Sequence, residues 1–261
     1  MLNTAIAAAR AAGEIIKDRF AEAHQVTRKG LRDVVTETDY LAQEAIVARI
    51  RERFPEHRIV AEEAGYATGQ GASSPYCWFI DPLDGTTNYS RGIPFFSVSI
   101  AVACNDDLQA GVIYDPLGDR LFQAARGEGA FLNGRPLRVS SRTQLLDALL
   151  NLGWARGPAA RQTSIRMAQA LGPLIGTVRT MGSAALGLAA VAAGWEDLFI
   201  QTELSPWDMA AGVLLVREAG GEVTAPDGGV WHVRQSGGCL ASNGVLHQAA
   251  LKHILPALSS G

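Results

Sequence analysis

The chain has little that could shape it from outside a hydrophobic core. It has only three cysteines, Cys77, Cys104 and Cys239, an odd number with no CxxC pair. No disulfide framework is therefore expected, and a cytoplasmic setting is. The five histidines (His24, His57, His232, His247 and His253) show no HExxH or other zinc spacing. No dense Lys/Arg run occurs and the formal net charge is −3, which argues against a nucleic-acid partner. Long apolar runs are missing too. The start, MLNTAIAAARAAGEIIKDRF, is broken by Arg10, Glu14, Lys17 and Asp18, so it reads as an amphipathic helix, not a signal peptide or a membrane span. There is no internal repeat and no low-complexity linker. An anionic ligand must then be held by local features such as metals and helix ends, because no broad positive field exists.

What is present is an ordinary globular composition, 261 residues with 48% hydrophobic and 19% charged side chains. The pattern predicts a first helix over about Leu2 to Ala23. A polar connection with a short hairpin follows over Gln25 to Thr38, then a second helix from about Tyr40 to Phe54, stopped by Pro55. Strands are predicted at Arg58 to Ala61, Trp78 to Ile80, Phe96 to Val102, Leu108 to Tyr114 and Arg120 to Ala124, with a hairpin turn at Asn133-Gly134. The second half begins near Ser140, with a short element at Thr143 to Leu146. Helices are expected at Ala159 to Leu171, Ser183 to Ala193 and Asp208 to Ala219, the last closed by Gly220-Gly221. Strands are expected at Asp197 to Gln201, Val223, Val230 to Val233 and Cys239 to Ala241. Trp154, Trp195 and Trp231 are assigned to the core, with a pocket or interface as the alternative. The order of helices, sheet, helices, sheet, helix implies stacked layers of α/β or α+β type.

The densest chemical signal is the string WFIDPLDGTTN, Trp78 to Asn88. An apolar strand delivers Asp81, Pro82 is expected to stop it, and a turn can aim Asp84 at the same point. Gly85 lets the backbone approach a ligand, and the Gly85 and Thr86 N–H groups can open a helix end. Carboxylates converging on a phosphate would repel it, so a cation must intervene, and all-oxygen ligands select Mg²⁺ or Mn²⁺ over zinc. Each acid also has a plainer reading. Asp84 can brace a loop, Glu62-Glu63 after Ile59-Val60-Ala61 can be a solvated turn, and Asp39 and Asp208 are good helix N-caps.

Together the strings resemble the inositol monophosphatase family of lithium-sensitive phosphatases. They are DVVTETD (Asp33 to Asp39), Glu62-Glu63, WFIDPLDGTTN, GSA (Gly182-Ser183-Ala184) and WDMAAG (Trp207 to Gly212), in the family's order along nearly the whole chain. The resemblance implies a layered αβαβα sandwich, residues 1–261 as one domain, with halves at about 1–139 and 140–261. It implies hydrolysis of small polyol phosphates, inositol 1-phosphate first among them, by a water activated between two or three Mg²⁺ ions. It also implies Li⁺ sensitivity and a homodimer. The implied metal ligands are Glu62, Asp81, the Leu83 carbonyl, Asp84 and Asp208. Thr86 and Asp39 would orient the water, and the Gly85 and Thr86 N–H groups would hold phosphate. Lys29 in KGLRD would be the basic loop residue, with Arg28 as its rival. Gly182, Ser183 and Ala184 would line the substrate side. One departure stands out: the acid seven positions before the WD aspartate is replaced by Gln201, and Glu203 would face the other way in an extended segment. Within the superfamily, fructose bisphosphate, histidinol phosphate, adenosine bisphosphate and NADP are the rival substrates. The rival of another class is a protein- or RNA-binding regulatory module on the same fold.

Overall fold

The computed structural model describes residues 1–22, 26–63 and 74–259. Ala23, His24 and Gln25 lie outside the described residues, and with them the expected end of the first helix. Two helices open the chain, α1 (Leu2–Arg19) and α2 (Glu37–Arg53), joined by the hairpin β1 (Val26–Gly30) and β2 (Asp33–Thr36). The hairpin is as expected, but α2 starts three residues before Tyr40. The Thr36 hydroxyl and the Asp39 carboxylate form a capping box that satisfies the first backbone N–H groups.

A seven-stranded sheet follows, in the order β3-β4-β5-β6-β7-β8-β9. Its strands are β3 (Arg58–Ala61), β4 (Tyr76–Asp84), β5 (Ser97–Cys104), β6 (Asp107–Asp115), β7 (Arg120–Ala125), β8 (Gly129–Leu132) and β9 (Arg135–Pro136), with the one-turn helix α3 (Thr86–Tyr89) after β4. Asn133-Gly134 makes the expected turn between β8 and β9, both residues at positive φ.

The second sheet is five-stranded, in the order β11-β10-β12-β14-β13. It and its helices comprise β10 (Leu149–Leu152), α4 (Pro158–Leu171), β11 (Thr177–Arg179), α5 (Ala184–Ala192), β12 (Leu198–Gln201), α6 (Pro206–Glu218), β13 (Glu222–Thr224), β14 (Cys239–Ser242) and α7 (His247–Ser259). A single 3₁₀ turn at Leu145–Asp147 is all that forms near the short element expected there. Strands β10 and β11 were not expected, and Val230 to Val233 is not a strand. Trp231 and Val233 are buried from a loop, and that burial imitates the apolar signal of a strand.

The layers are α1 and α2, the large sheet, α5 and α6, the small sheet, then α4 and α7. Strand periodicity shows why. In β4, Trp78 and Ile80 pack against α1 and α2, while Cys77 and Phe79 face α5 and α6. In β12, Phe199 joins the same central core, while Leu198 and Ile200 face α4 and α7. Helix α5 is buried on every side because sheets cover both faces of its layer. That layer needs small residues: a Cβ on Gly212 of α6 would come within 2.4 Å of the Leu188 side chain of α5. Of the tryptophans, Trp231 is buried as expected, but Trp154 and Trp195 are 45% and 48% exposed. Among the described residues no helix is long and apolar enough to cross a membrane.

Candidate metal centre

Two pairings bring the acids together. Strand β3 runs parallel to β4 with Ala61 opposite Ile80, and the Glu62 N–H donates to the Ile80 carbonyl at 3.1 Å. Glu62 is therefore held beside Asp81. On its other edge β4 pairs with β5, Asp81 opposite Ser99 and Asp84 opposite Ser97, with a register shift between. The extra residue is a bulge that takes in Pro82, which has no N–H to give a ladder. Pro82 therefore does not stop the strand. It bends it, and the strand runs on to Asp84. The Leu83 N–H donates back to Asp81 Oδ1 at 3.0 Å and fixes that carboxylate's rotamer.

Asp208 arrives from the helical layer. The Ser99 hydroxyl donates to the Trp207 carbonyl at 3.1 Å, which docks the first turn of α6 onto β5. Asp208 is not an N-cap. It is the third residue of the helix, and its Oδ2 accepts the Ser205 N–H at 2.7 Å in a second capping box. One carboxylate oxygen each of Glu62, Asp81 and Asp208 lies within 4.8 Å of the others. Burial, followed by the Glu62 charge, pushes Asp208 up to about 8. Burial and the charges of Glu62, Asp84 and Asp208 lift Asp81 well above the usual carboxylate range. Crowded carboxylates of this kind, Asp81 buried and Glu62 and Asp208 half-buried, are unstable as anions unless a cation joins them. An all-oxygen trio fits a hard divalent ion such as Mg²⁺ or Mn²⁺.

The other predicted residues take distinct places. Asp84 lines the same cavity but lies outside the trio. It accepts the Ser183 hydroxyl and the N–H groups of Ala184 and Ala185 at 3.2 and 2.9 Å, and so closes the start of α5. Burial raises it to about 6 against those bonds. The Leu83 carbonyl accepts the Thr86 hydroxyl at 3.0 Å, and Asp39 Oδ1 lies equally close to that hydroxyl. Asp39, like Asp208, sits at the third helical position and is not an N-cap. Its Oδ2 accepts the Thr36 N–H at 2.9 Å and the Thr36 hydroxyl at 2.6 Å. Burial dominates there and lifts Asp39 to about 7, against the Thr36 bonds and with help from the Glu63 charge. Gly85, at φ 95°, caps α3 where a Cβ would meet the Phe95 carbonyl oxygen at 3.1 Å and the Gly182 carbonyl oxygen at 3.3 Å.

Lys29 is not on the cavity wall. Its ammonium donates to Glu62 and Glu63, both at 2.8 Å, while Arg28 lies on the exposed strand β1. Partial burial would lower the Lys29 pKa, but the two glutamates outweigh it and hold the ammonium charged. Gly182, Ser183, Ala184 and Gln201 all line the cavity, whose volume is about 850 Å³. Glu203 lines it too. The chain leaves the strand after Gln201, so the expected alternation ends there and Glu203 does not turn away. The cavity also takes in Asp33, Asn151, Arg156 and Arg161, whose role sequence reasoning missed. Asp33 stood within DVVTETD, but its 2.7 Å ion pair with Arg156 joins segments that carry no shared motif.

A carboxylate trio lining a large cavity in a layered α/β protein defines a candidate centre for a hard divalent cation. Comparison narrows the class. The sequence model of the Inositol monophosphatase family matches residues 1–259, and the chain belongs to that family. It is similar to the Nus factor SuhB of Pseudomonas aeruginosa, 43% identical over 99% of this chain and 97% of that protein. It is also similar to an inositol-1-monophosphatase of Mesorhizobium japonicum, 40% identical over 100% of this chain and 98% of that one. Among solved structures it resembles the extragenic suppressor protein SuhB of Bartonella henselae, with a TM-score of 0.90 and 38% identity over 99% and 98% of the two chains.

Proposed function

We propose that this chain is a Mg²⁺-dependent phosphomonoesterase acting on small polyol phosphates, inositol 1-phosphate among them. The reading is carried by the trio of Glu62, Asp81 and Asp208, which line the cavity with one carboxylate oxygen each within 4.8 Å of the others. Those three would hold the ions, with the Leu83 carbonyl and Asp84 beside them. Once bound, Mg²⁺ supplies the positive charge that offsets phosphate repulsion and acidifies water. Thr86 accepts a hydrogen bond from the attacking water and directs its own hydroxyl proton to Asp39. A carboxyl raised to about 7 accepts and returns a proton readily at neutral pH. The N–H groups of Gly85 and Thr86 face the phosphate oxygens. Gln201 and Glu203 take the substrate hydroxyls, Glu203 supplying the anionic acceptor that Gln201 lacks. Lys29 positions Glu62. A homodimer and Li⁺ sensitivity belong to the same proposal.

A phosphate-release screen with Mg²⁺ across inositol 1-phosphate, fructose 1,6-bisphosphate, histidinol phosphate and adenosine 3′,5′-bisphosphate tests it. Turnover of at least one, lost on chelation, is expected. Silence on all of them, with the protein folded and Mg²⁺ bound, would overturn the reading. A second reading is a protein- or RNA-binding module, favoured by the Nus factor name of the Pseudomonas aeruginosa relative. It predicts a partner whose binding survives Asp81→Asn.

A further inference from the structure

Strand β10 lies between β11 and β12, parallel to both, in a sheet with helices on its two faces. Such a strand is ordinarily apolar throughout. Leu150 and Leu152 conform and pack with the core under α4 and α7. Asn151 does not. It is buried, stands opposite Phe199 of β12 and faces the middle layer. A Cβ on Gly187 of α5 would come within 3.0 Å of Asn151 Nδ2 and 2.7 Å of the Phe199 ring, so the helix leaves space for the amide.

The partner is Glu196, itself buried between α5 and β12. Asn151 Nδ2 donates to its two carboxylate oxygens at 3.3 and 3.0 Å, and among the described residues that carboxylate has no other donor. Burial lifts Glu196 to about 7, against the Asn151 bond and the Arg179 charge and with help from Asp197. Two apolar side chains of similar volume would fill this space without taking an amide and a carboxyl out of water. Packing therefore does not account for the pair.

Its position does. Asn151 and Phe199 line the main cavity, and Gly153 and Gln201 follow two residues on along the same faces. A Cβ on Gly153 would run into the Gln201 side chain, so Gln201 lies across that glycine. A carboxylate only accepts, so Glu196 selects the Nδ2 end of the Asn151 amide. Oδ1 is the end left for the cavity, and among the described residues nothing donates to it. An oxygen held in this way suits a ligand hydroxyl and discriminates against a ligand that lacks one.

We propose that Asn151 is a specificity-determining residue that accepts a hydrogen bond from a hydroxyl of the polyol, and that Glu196 is the residue that positions it. The inference rests on the polyol phosphate reading for its ligand, but the hydroxyl contact is one of binding and does not depend on turnover.

The test compares inositol 1-phosphate with cyclohexyl phosphate, which keeps the ring and the ester but has no free hydroxyl, both with Mg²⁺. The proteins are the unaltered chain, Asn151→Ala, Glu196→Leu and Asn151→Val/Glu196→Leu. Two ratios are taken: kcat/KM by phosphate release, and Kd by calorimetry in an Asp39→Asn background, where the ester survives the titration. The unaltered chain should favour inositol 1-phosphate by about tenfold or more. Asn151→Ala should cut that ratio by about fivefold, the size of one neutral hydrogen bond. Glu196→Leu should cut it as much although Asn151 remains. The double variant should lose no more than either single one, and should melt no lower than the parent. Because each ratio is taken on one preparation, a variant that folds poorly cannot imitate the loss. A Kd ratio that falls in the variants, with no phosphate released from either ester by the unaltered chain, would keep the inference and overturn the phosphatase reading. A ratio unmoved by Asn151→Ala or by Glu196→Leu, or equal Kd values for the two esters on the unaltered site, would overturn the inference even if both are hydrolysed.

Discussion

The starts of α2 and α6 are built alike and used differently. Each opens with a hydroxyl residue followed three positions later by an aspartate, Thr36 with Asp39 and Ser205 with Asp208. In each, Oδ2 accepts the backbone N–H of the capping residue, at 2.9 Å for Thr36 and 2.7 Å for Ser205. The bond pins the side chain and leaves the other oxygen to the site. Asp39 turns that oxygen to the Thr86 hydroxyl and is not one of the trio. Asp208 sits among Glu62, Asp81 and Asp84 and is pushed higher, to about 8 against about 7. Capping and chemistry are not rival explanations for these residues. The cap is the device that orients the acid.

Removing each acid separates the two uses. Asp208→Asn, and likewise Asp81→Asn, should lower turnover by about a thousandfold, since both take away cation-holding charge. The metal-free Asp208→Asn protein should melt higher than the parent, because a buried repulsion is gone, and should gain little from added Mg²⁺. A variant with near-normal turnover and undiminished Mg²⁺ stabilisation would break the comparison. Asp39→Asn should cost turnover about a hundredfold yet keep the Mg²⁺-induced rise in melting temperature. Loss of that rise would place Asp39 with the metal acids instead.

The pH dependence follows from the same shifts. Asp208 holds its proton up to about 8 in the folded chain, against about 3.8 for its ordinary value. Between those limits the unfolded chain binds fewer protons than the folded one, so metal-free stability should fall as pH rises from about 4 to about 8. Saturating Mg²⁺ should flatten that slope, because the cation favours the ionised acids. Thermal melts in chelator and in Mg²⁺ check this, and parallel slopes would sink it. The smallest effect is expected from the caps. Thr36→Ala and Ser205→Ala should each cost about 1 kcal/mol in denaturant unfolding, with Ser205→Ala also weakening Mg²⁺ affinity and Thr36→Ala leaving it intact.

Much of this was legible in the chain order. Strong alternation located β5, β6 and β7, and the WFIDPLDGTTN and WDMAAG strings located the acids. What stayed hidden had little local signal. Strand β10 is four residues long and carries a polar Asn151 in its middle, where the partner is Glu196 at 3.0 Å, far along the chain. Pro82 reads as a terminator, and only the pairing with β5 reveals a bulge. Glu203 reads as outward because alternation assumes that the strand continues. Arg156 sits in the loop before α4 and Arg161 near the start of that helix, and their meeting at the cavity depends on how the loop is draped, which no periodicity encodes.

The shared middle layer has a further consequence for any attempt to divide the molecule. Phe79, Ile113 and Phe122 of the first sheet are covered by α5 and α6, which belong to the second half of the sequence. A fragment ending near residue 139 would show water a broad oily face, and the remainder would show its mate. Expressed apart, the pieces should clump or wait for each other, and mixing them should rebuild the cavity, which is the behaviour wanted in a split reporter.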